Sequence, residues 1–172
     1  MAGRCAVREG VGMSGGAIDW GPVLEPGGAW SPLVHVGASP EVVARHNAGL
    51  AYLATPYTNE VLVKGKWSFE RSVMLSTLAA RHLLLLMREG VTAVSPIVQA
   101  AEMLHAQPSV PGRKVSPLDH ARWTEWCRPM FVASQLVVVP NIPGWDRSEG
   151  IWAEVQAALA HNTPVFVYGG AR

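Results

Sequence analysis

The stretch of this chain best equipped for chemistry runs Asn141-Ile142-Pro143-Gly144-Trp145-Asp146-Arg147-Ser148-Glu149-Gly150-Ile151-Trp152-Ala153-Glu154. A serine in front of a helical run accepts hydrogen bonds from the first backbone N–H groups and caps the helix. The same helix start can hold an anion, because its free N–H groups point outward and the dipole is positive there. On a helix turning about 100° per residue, Ile151, Val155, Ala158 and Leu159 make one apolar stripe. Glu154 lies roughly 80–100° from the centre of that stripe. A carboxylate there borders a cleft without being sunk in the core; an exposed helical acid paired with Arg or Lys has the same geometry. His35, His46, His82, His105, His120 and His161 show no paired metal spacing. No P-loop and no Gly-x-Gly-x-x-Gly follows a strand, so neither metal nor cofactor is expected.

The elements that must position these groups alternate from Leu50 onward. Leu50 to Ala54 is a short apolar run closed by Thr55-Pro56 and reads as a buried strand. Glu70 to Glu89 keeps helical spacing, and Gly90 stands where a left-handed C-cap is wanted. Val91 to Val94 reads as a second strand, stopped at Ser95-Pro96. Ala101 to Pro117 holds Pro108, Pro111, Gly112 and Pro117 and reads as a loop, and a loop this long is more often functional than idle. Leu118 to Phe131 is helical in composition, with Pro129 expected to kink or shorten it. Gln135 to Val139 is apolar almost throughout, as in a central parallel strand covered on both faces. The turn-rich loop Pro140 to Arg147, a helix from Glu149 to His161 and a strand from Pro164 to Tyr168 complete the series. This alternation predicts a flavodoxin-like, doubly wound parallel sheet of the α/β class. Its ligands should bind outside the carboxyl ends of the strands, where the strand order reverses. That places Thr55 to Asn59, Ser95 to Ile97 and Pro140 to Glu154 around the site.

Residues 1–45 differ in kind. Glycines and prolines punctuate them too often for a long helix or strand, so the expectation is an irregular extension, flexible or lying along the domain surface. Met13 is an alternative natural start. The α/β domain is then 46–172. A hydrophobic fraction of 49% supplies a real core, and a formal net charge of +1 with mixed signs argues against a nucleic-acid polymer or a membrane surface as partner. Cys5 and Cys127 are too few for a disulfide framework. No signal peptide and no run long enough to span a bilayer is present, so a cytoplasmic protein is expected.

Four pieces in order carry a resemblance: Tyr52-Leu53-Ala54-Thr55-Pro56-Tyr57, Ser95-Pro96-Ile97, Asp119 ahead of Trp123, and Ser148-Glu149-Gly150 with Glu154. Together they resemble the nucleoside 2-deoxyribosyltransferase superfamily, above all members with a Gly-Trp before a Ser-x-Gly-x-x-x-Glu signature. The resemblance covers roughly residues 50 to 168. It implies transfer of deoxyribose between bases, or hydrolysis of the N-glycosidic bond of nucleoside monophosphates. Glu154 stands at the family's nucleophile, a carboxylate that attacks C1′ and forms a covalent glycosyl-enzyme. Asp119 resembles the second acid that meets the leaving base; a solvent-exposed helical Asp is the other reading. Ser148 matches a position that contacts a 5′-phosphate where serine occupies it, with Arg147 beside it and Gly150 in the signature. A plain N-cap serves equally for Ser148. Tyr52 and Tyr57 become candidates to line the sugar or base site, and Trp145 to stack on a base; each is also an ordinary packing residue. Ser134-Gln135 stands where many members carry an Asp, and Thr55 to Asn59 replaces the Gly/Arg-rich phosphate loop of the monophosphate hydrolases.

The reading that follows is cleavage of the N-glycosidic bond of a nucleoside 5′-monophosphate, with base exchange and a non-catalytic nucleotide-binding module as alternatives. The expected partner is a small nucleoside or nucleotide. The resemblance also implies a homodimer or higher homo-oligomer.

Overall fold

A computed structural model describes residues 17–46 and 49–169. In chain order the elements are α1 (Gly21–Leu24), β1 (Val34–Ala38), α2 (Pro40–His46), β2 (Ala51–Leu53), β3 (Leu62–Val63), β4 (Lys66–Trp67), α3 (Phe69–Arg88), β5 (Ala93–Val94), α4 (Pro96–Ala106), α5 (His120–Ala133), β6 (Leu136–Val139), α6 (Glu149–Ala160) and β7 (Val165–Tyr168). Tight 3-10 turns cover Gln107–Ser109 and Trp145–Arg147. Met13 and Cys5 lie outside the described residues.

The apolar strand β6 is buried at every position, as a strand covered on both faces must be. It sits at the centre of a five-stranded sheet of order β1-β7-β6-β2-β5, in which every pairing is parallel. Side chains alternate across the sheet with a period of two. Tyr52, Val137, Val139, Val165 and Val167 point to one face and pack on Ile151 and Val155 of α6. Leu53, Leu136, Val138 and Phe166 point to the other and pack on Val43 of α2 and Leu86 of α3. Helices therefore cover both faces, and the sheet is doubly wound. The chain leaves β2 for the edge strand β5, then returns past β2 to β6 and goes on to β7. The reversal falls between β2 and β6, so their carboxyl ends open the crevice.

Local chemistry explains the main boundaries. Ser68 caps α3 by accepting from the Arg71 N–H. At its far end Gly90 takes φ 78°, Val91 N–H bonds to the Leu86 carbonyl and Gly90 N–H to that of Met87. That is the left-handed stop expected of a glycine here. Between β3 and β4, Lys64 and Gly65 both take positive φ, the conformation a two-residue hairpin turn requires.

Three sequence expectations change. Ser95-Pro96 starts a helix instead of only ending a strand: Ser95 accepts from the Val98 N–H, and proline is tolerated in a first turn whose N–H has no partner anyway. The expected loop thus loses residues 101 to 106 to α4. Helix α5 starts at His120 and runs through Pro129 to Ala133 instead of stopping early. The third change concerns the segment 1–45, expected to be irregular. Within it β1 joins the sheet beside β7, and α2 packs Val43 into the core with no exposure. Gly37, at φ 74°, marks a break in register between Val36 and Ala38, which hid the strand pattern.

The start of the described chain is held by Trp20. Its ring meets Trp145 and Trp152 edge-on, both at 4.9 Å between centroids, and its Nε1–H donates to the Asp146 carbonyl at 2.6 Å. Removing a half-buried indole with these contacts leaves a void and an unpaired carbonyl. Trp20→Ala is expected to lower the unfolding free energy by about 2–3 kcal/mol, measured by denaturant titration. An unchanged midpoint would show that the N-terminal segment contributes nothing to the domain.

Candidate active site

The segment that follows β2 and the segment that follows β6 wall a cavity of about 200 Å³. β2 itself gives Tyr52 and the segment after it Thr55 and Tyr57; the segment after β6 gives Ser148, Gly150 and Glu154. His120 and Cys127 of α5 and Pro96 at the start of α4 close the remaining sides. Four stretches distant in sequence therefore meet where the strand order reverses.

Glu154 is half-buried and faces this cavity, not bulk solvent. Tyr52, buried within the sheet, donates its hydroxyl to Glu154 Oε1 at 2.5 Å. Burial raises the Glu154 carboxyl and the Tyr52 hydrogen bond pulls it partway back, leaving it at about 7. Burial and the Glu154 charge both hold the Tyr52 phenol above its ordinary value, so it stays protonated and remains a donor. Phe131 packs edge-on against the Tyr52 ring at 5.2 Å, which fixes the phenol in place. Burial, with Glu154 adding to it, pushes the Cys127 thiol up to about 12. A thiol held there is protonated and is a poor nucleophile. Of the two groups, only the carboxyl changes charge near neutral pH.

At the rim, Ser148 caps α6 by accepting from the Ile151 N–H at 3.4 Å. Its own hydroxyl hydrogen remains to donate. Gly150 lines the cavity in the first turn of α6; a Cβ there would meet only Ser148 Oγ, at 3.8 Å. The missing side chain thus keeps the helix start open to a ligand. Arg147 is exposed and gives both Nε and Nη2 to Glu60 Oε1, at 3.2 and 2.8 Å. The Gly-Trp of the sequence pattern has a reason in this pair. Gly144 has φ 92°, and a Cβ on it would collide with the Glu60 carboxylate.

Other predicted site residues are placed differently. Tyr57 lines the cavity, while its hydroxyl pairs with Ser72 Oγ at 2.7 Å and accepts from Trp67 Nε1 at 3.2 Å. Ser72 in turn meets His105 Nε2 at 2.8 Å, so the Tyr57 hydroxyl is committed to the framework. Trp145 does not line the cavity; it is packed against Trp20 on the outside of the turn. Asp119 does not line it either. Its carboxylate caps α5, accepting from the Arg122 N–H at 3.2 Å and lying 3.5 Å from the Arg122 guanidinium. The next residue, His120, takes the wall. His120 and Cys127 were not singled out from the sequence. Their seven-residue separation puts them on one helical face, which was the available signal. Thr55 is buried at the cavity, and its hydroxyl has no hydrogen-bond partner among the described residues.

Fold and site together define a doubly wound α/β protein with a polar crevice at its topological switch. A family model described as "Domain of unknown function (DUF1937)" matches residues 49–170, and the chain belongs to that family. Neither the curated proteins nor the solved structures give a match. No described helix is long and apolar enough to cross a membrane.

A carboxyl whose folded value lies near 7 and whose ordinary value is 4.5 binds its proton more tightly folded than unfolded. Its contribution to stability is intact below about pH 4.5 and declines as pH rises through about 7. Glu154→Gln stays neutral throughout and keeps an acceptor for Tyr52. The variant is therefore expected to match the wild type near pH 4.5 and to exceed its melting temperature above pH 7. Equal melting temperatures at both pH values would remove the strained carboxyl from the account.

Proposed function

We propose that this protein cleaves the N-glycosidic bond of a nucleoside 5′-monophosphate, with Glu154 as the nucleophile, in the manner of the nucleoside 2-deoxyribosyltransferase superfamily that the sequence resembles. The observation that carries the reading is the Glu154 carboxyl, half-buried at the switch point and held by the Tyr52 hydroxyl at 2.5 Å. A Glu154 oxygen attacks C1′ while the C1′–N bond breaks and its electron pair leaves with the base. The departing base takes a proton. Because His120 lines the cavity and Asp119 does not, His120 is the donor of that proton. Water then adds at C1′, freeing the Glu154 carboxylate, and its extra proton returns to the donor. A carboxyl near 7 is ionised in about half the molecules at neutral pH, and the Tyr52 hydrogen bond favours that ionised form. The orphan hydroxyl of Thr55 supports a polar ligand, since a buried donor without a partner is costly.

The phosphate end of the reading rests on the α6 start. Ser148 has a hydroxyl hydrogen to give, Gly150 leaves room, and the helix dipole favours an anion. One observation favours base exchange on an uncharged nucleoside instead: Glu60 stands on the same rim and occupies Arg147. Hydrolysis is kept first because the Arg147 pairing neutralises that acid and leaves further guanidinium N–H groups available.

Two assays test this. Incubated with a panel of nucleosides and 5′-monophosphates, the wild type should release free base, read by chromatography, and Glu154→Gln should lose turnover by several orders of magnitude with its fold intact. Base release by that variant at the wild-type rate would exclude Glu154 as nucleophile. Ser148→Ala should lower kcat/KM for monophosphates about 10- to 150-fold, the loss of one charge-assisted hydrogen bond, and hardly change it for nucleosides. Equal losses on both substrate classes, together with about 1 kcal/mol of lost stability, would make Ser148 an N-cap and favour the exchange reaction.

A further inference from the structure

The ionisable side chains of the cavity are unbalanced. Among the described residues, Glu60, Glu149 and Glu154 line it, against one guanidinium, that of Arg147. Arg147 is already engaged, giving Nε and Nη2 to Glu60 Oε1. Arg122 of α5 lies outside the lining and is drawn to Asp119 at 3.5 Å. Glu154 takes part in no ion pair among the described residues. Burial raises its carboxyl, and no neighbouring cation counters the rise. The group that must approach C1′ therefore has a hydroxyl for a partner and no positive charge. Asp119, the acid expected to meet the leaving base, caps α5 instead of lining the cavity. The cavity is nevertheless built for a polar ligand: Thr55 on its wall is 7% exposed, and its hydroxyl has no partner among the described residues.

Resting on the N-glycosidic reading of this site, we infer that its substrates are nucleoside 5′-monophosphates whose base is a cation, with the positive charge on the ring joined to C1′. Charge complementarity selects this class. A phosphate monoester brings about 1.5–2 negative charges to a cavity that already holds excess acid, and like charges oppose its entry. A cationic ring cancels part of that charge and sets its own beside Glu154, whose ionised form it favours. The two ends of such a substrate then face opposite partners. Its anion meets Ser148 and Arg147 at the start of α6, and its cation meets Glu154, about 9 Å further along the same helix. The chemistry agrees. As a Glu154 oxygen bonds to C1′, the electron pair of the C1′–N bond flows into the ring, and the base departs neutral with no proton supplied. Water then adds at C1′ and frees the Glu154 carboxylate. Its extra proton passes to His120 and on to solvent, so each turnover releases one proton. A cavity that lacks the acid expected at Asp119 suits a leaving group that needs none.

The test measures base release by the full chain at neutral pH on matched pairs that differ in charge. Guanosine 5′-monophosphate is set against its N7-methyl cation, and cytidine 5′-monophosphate against its N3-methyl cation, each as riboside and as 2′-deoxyriboside. Every kcat/KM is divided by the uncatalysed hydrolysis rate of the same compound, because cationic bases also leave faster in water. After that division the cation of each pair is expected to keep an advantage of about 10- to 100-fold. Glu60→Gln keeps an acceptor for Arg147 while removing one negative charge from the cavity, and should lower the advantage about 3- to 10-fold. A general loss of folding would lower both members of a pair alike and leave their ratio intact. Release of neutral bases with no advantage for the cations would overturn the inference and leave the N-glycosidic reading standing. Release of no base from any compound would overturn both. An advantage unmoved by Glu60→Gln would overturn cavity charge as its cause.

Discussion

The hydrogen bond from Tyr52 to Glu154 joins β2 to α6, the helix that follows β6, and β2 and β6 flank the reversal of strand order. Its geometry requires the whole sheet. Tyr52 must sit on the α6 face of β2, and β2 must pair with β6 in a register that opposes Tyr52 to Val137. A slip of one residue would turn Tyr52 to the α3 face and leave the carboxyl without its donor. Helix α6 must also begin with the right phase, which the Ser148 cap sets. The contact therefore depends on register and capping together, and in return it lets an acidic group sit in a confined space.

A carboxyl raised toward 7 reduces folding stability at neutral pH, and the surrounding structure offsets it. The buried strands β6 and β7 and the apolar side of α6 form one continuous core directly behind the group. The Trp20, Trp145 and Trp152 cluster clamps the turn that leads into α6 from outside. Arg147, Glu60 and Gly144 lock the same turn from the cavity side. The start of α6 is thus fixed from two directions, as expected of a segment that must present backbone N–H groups at a set position.

The N-terminal segment changes the meaning of the sheet edge. Without β1, the last strand β7 would present an unpaired row of backbone groups. With it, that edge is closed by five residues and by α2 on the α3 face. The match to the family model begins at residue 49, so β1 and α2 lie outside the matched unit. Gly and Pro disguise them in the sequence, because a strand of five residues with a break at Gly37 has too little period to be read.

Much of the framework was legible in one dimension. The apolar run of β6, the helical spacing of α3 with Gly90 after it, and the phase of Glu154 on α6 all follow from periodicity and local backbone preference, which act within a few residues. Proline signals were less decisive: Pro96 starts a helix and Pro129 fails to end one, since capping at Ser95 and the rest of α5 outweigh the single residue. What a linear chain does not contain is which side chains meet. That His120 and not Asp119 reaches the cavity depends on where α5 is capped. That Trp145 packs on Trp20 and Arg147 pairs with Glu60 depends on contacts spanning 125 and 87 residues. The sequence by itself determined the order of β2, α3, β5, α5, β6, α6 and β7 and the helix face that carries Glu154. Only the tertiary structure decided the company that Glu154 keeps, because burial and hydrogen bonding are properties of neighbours brought together by the sheet.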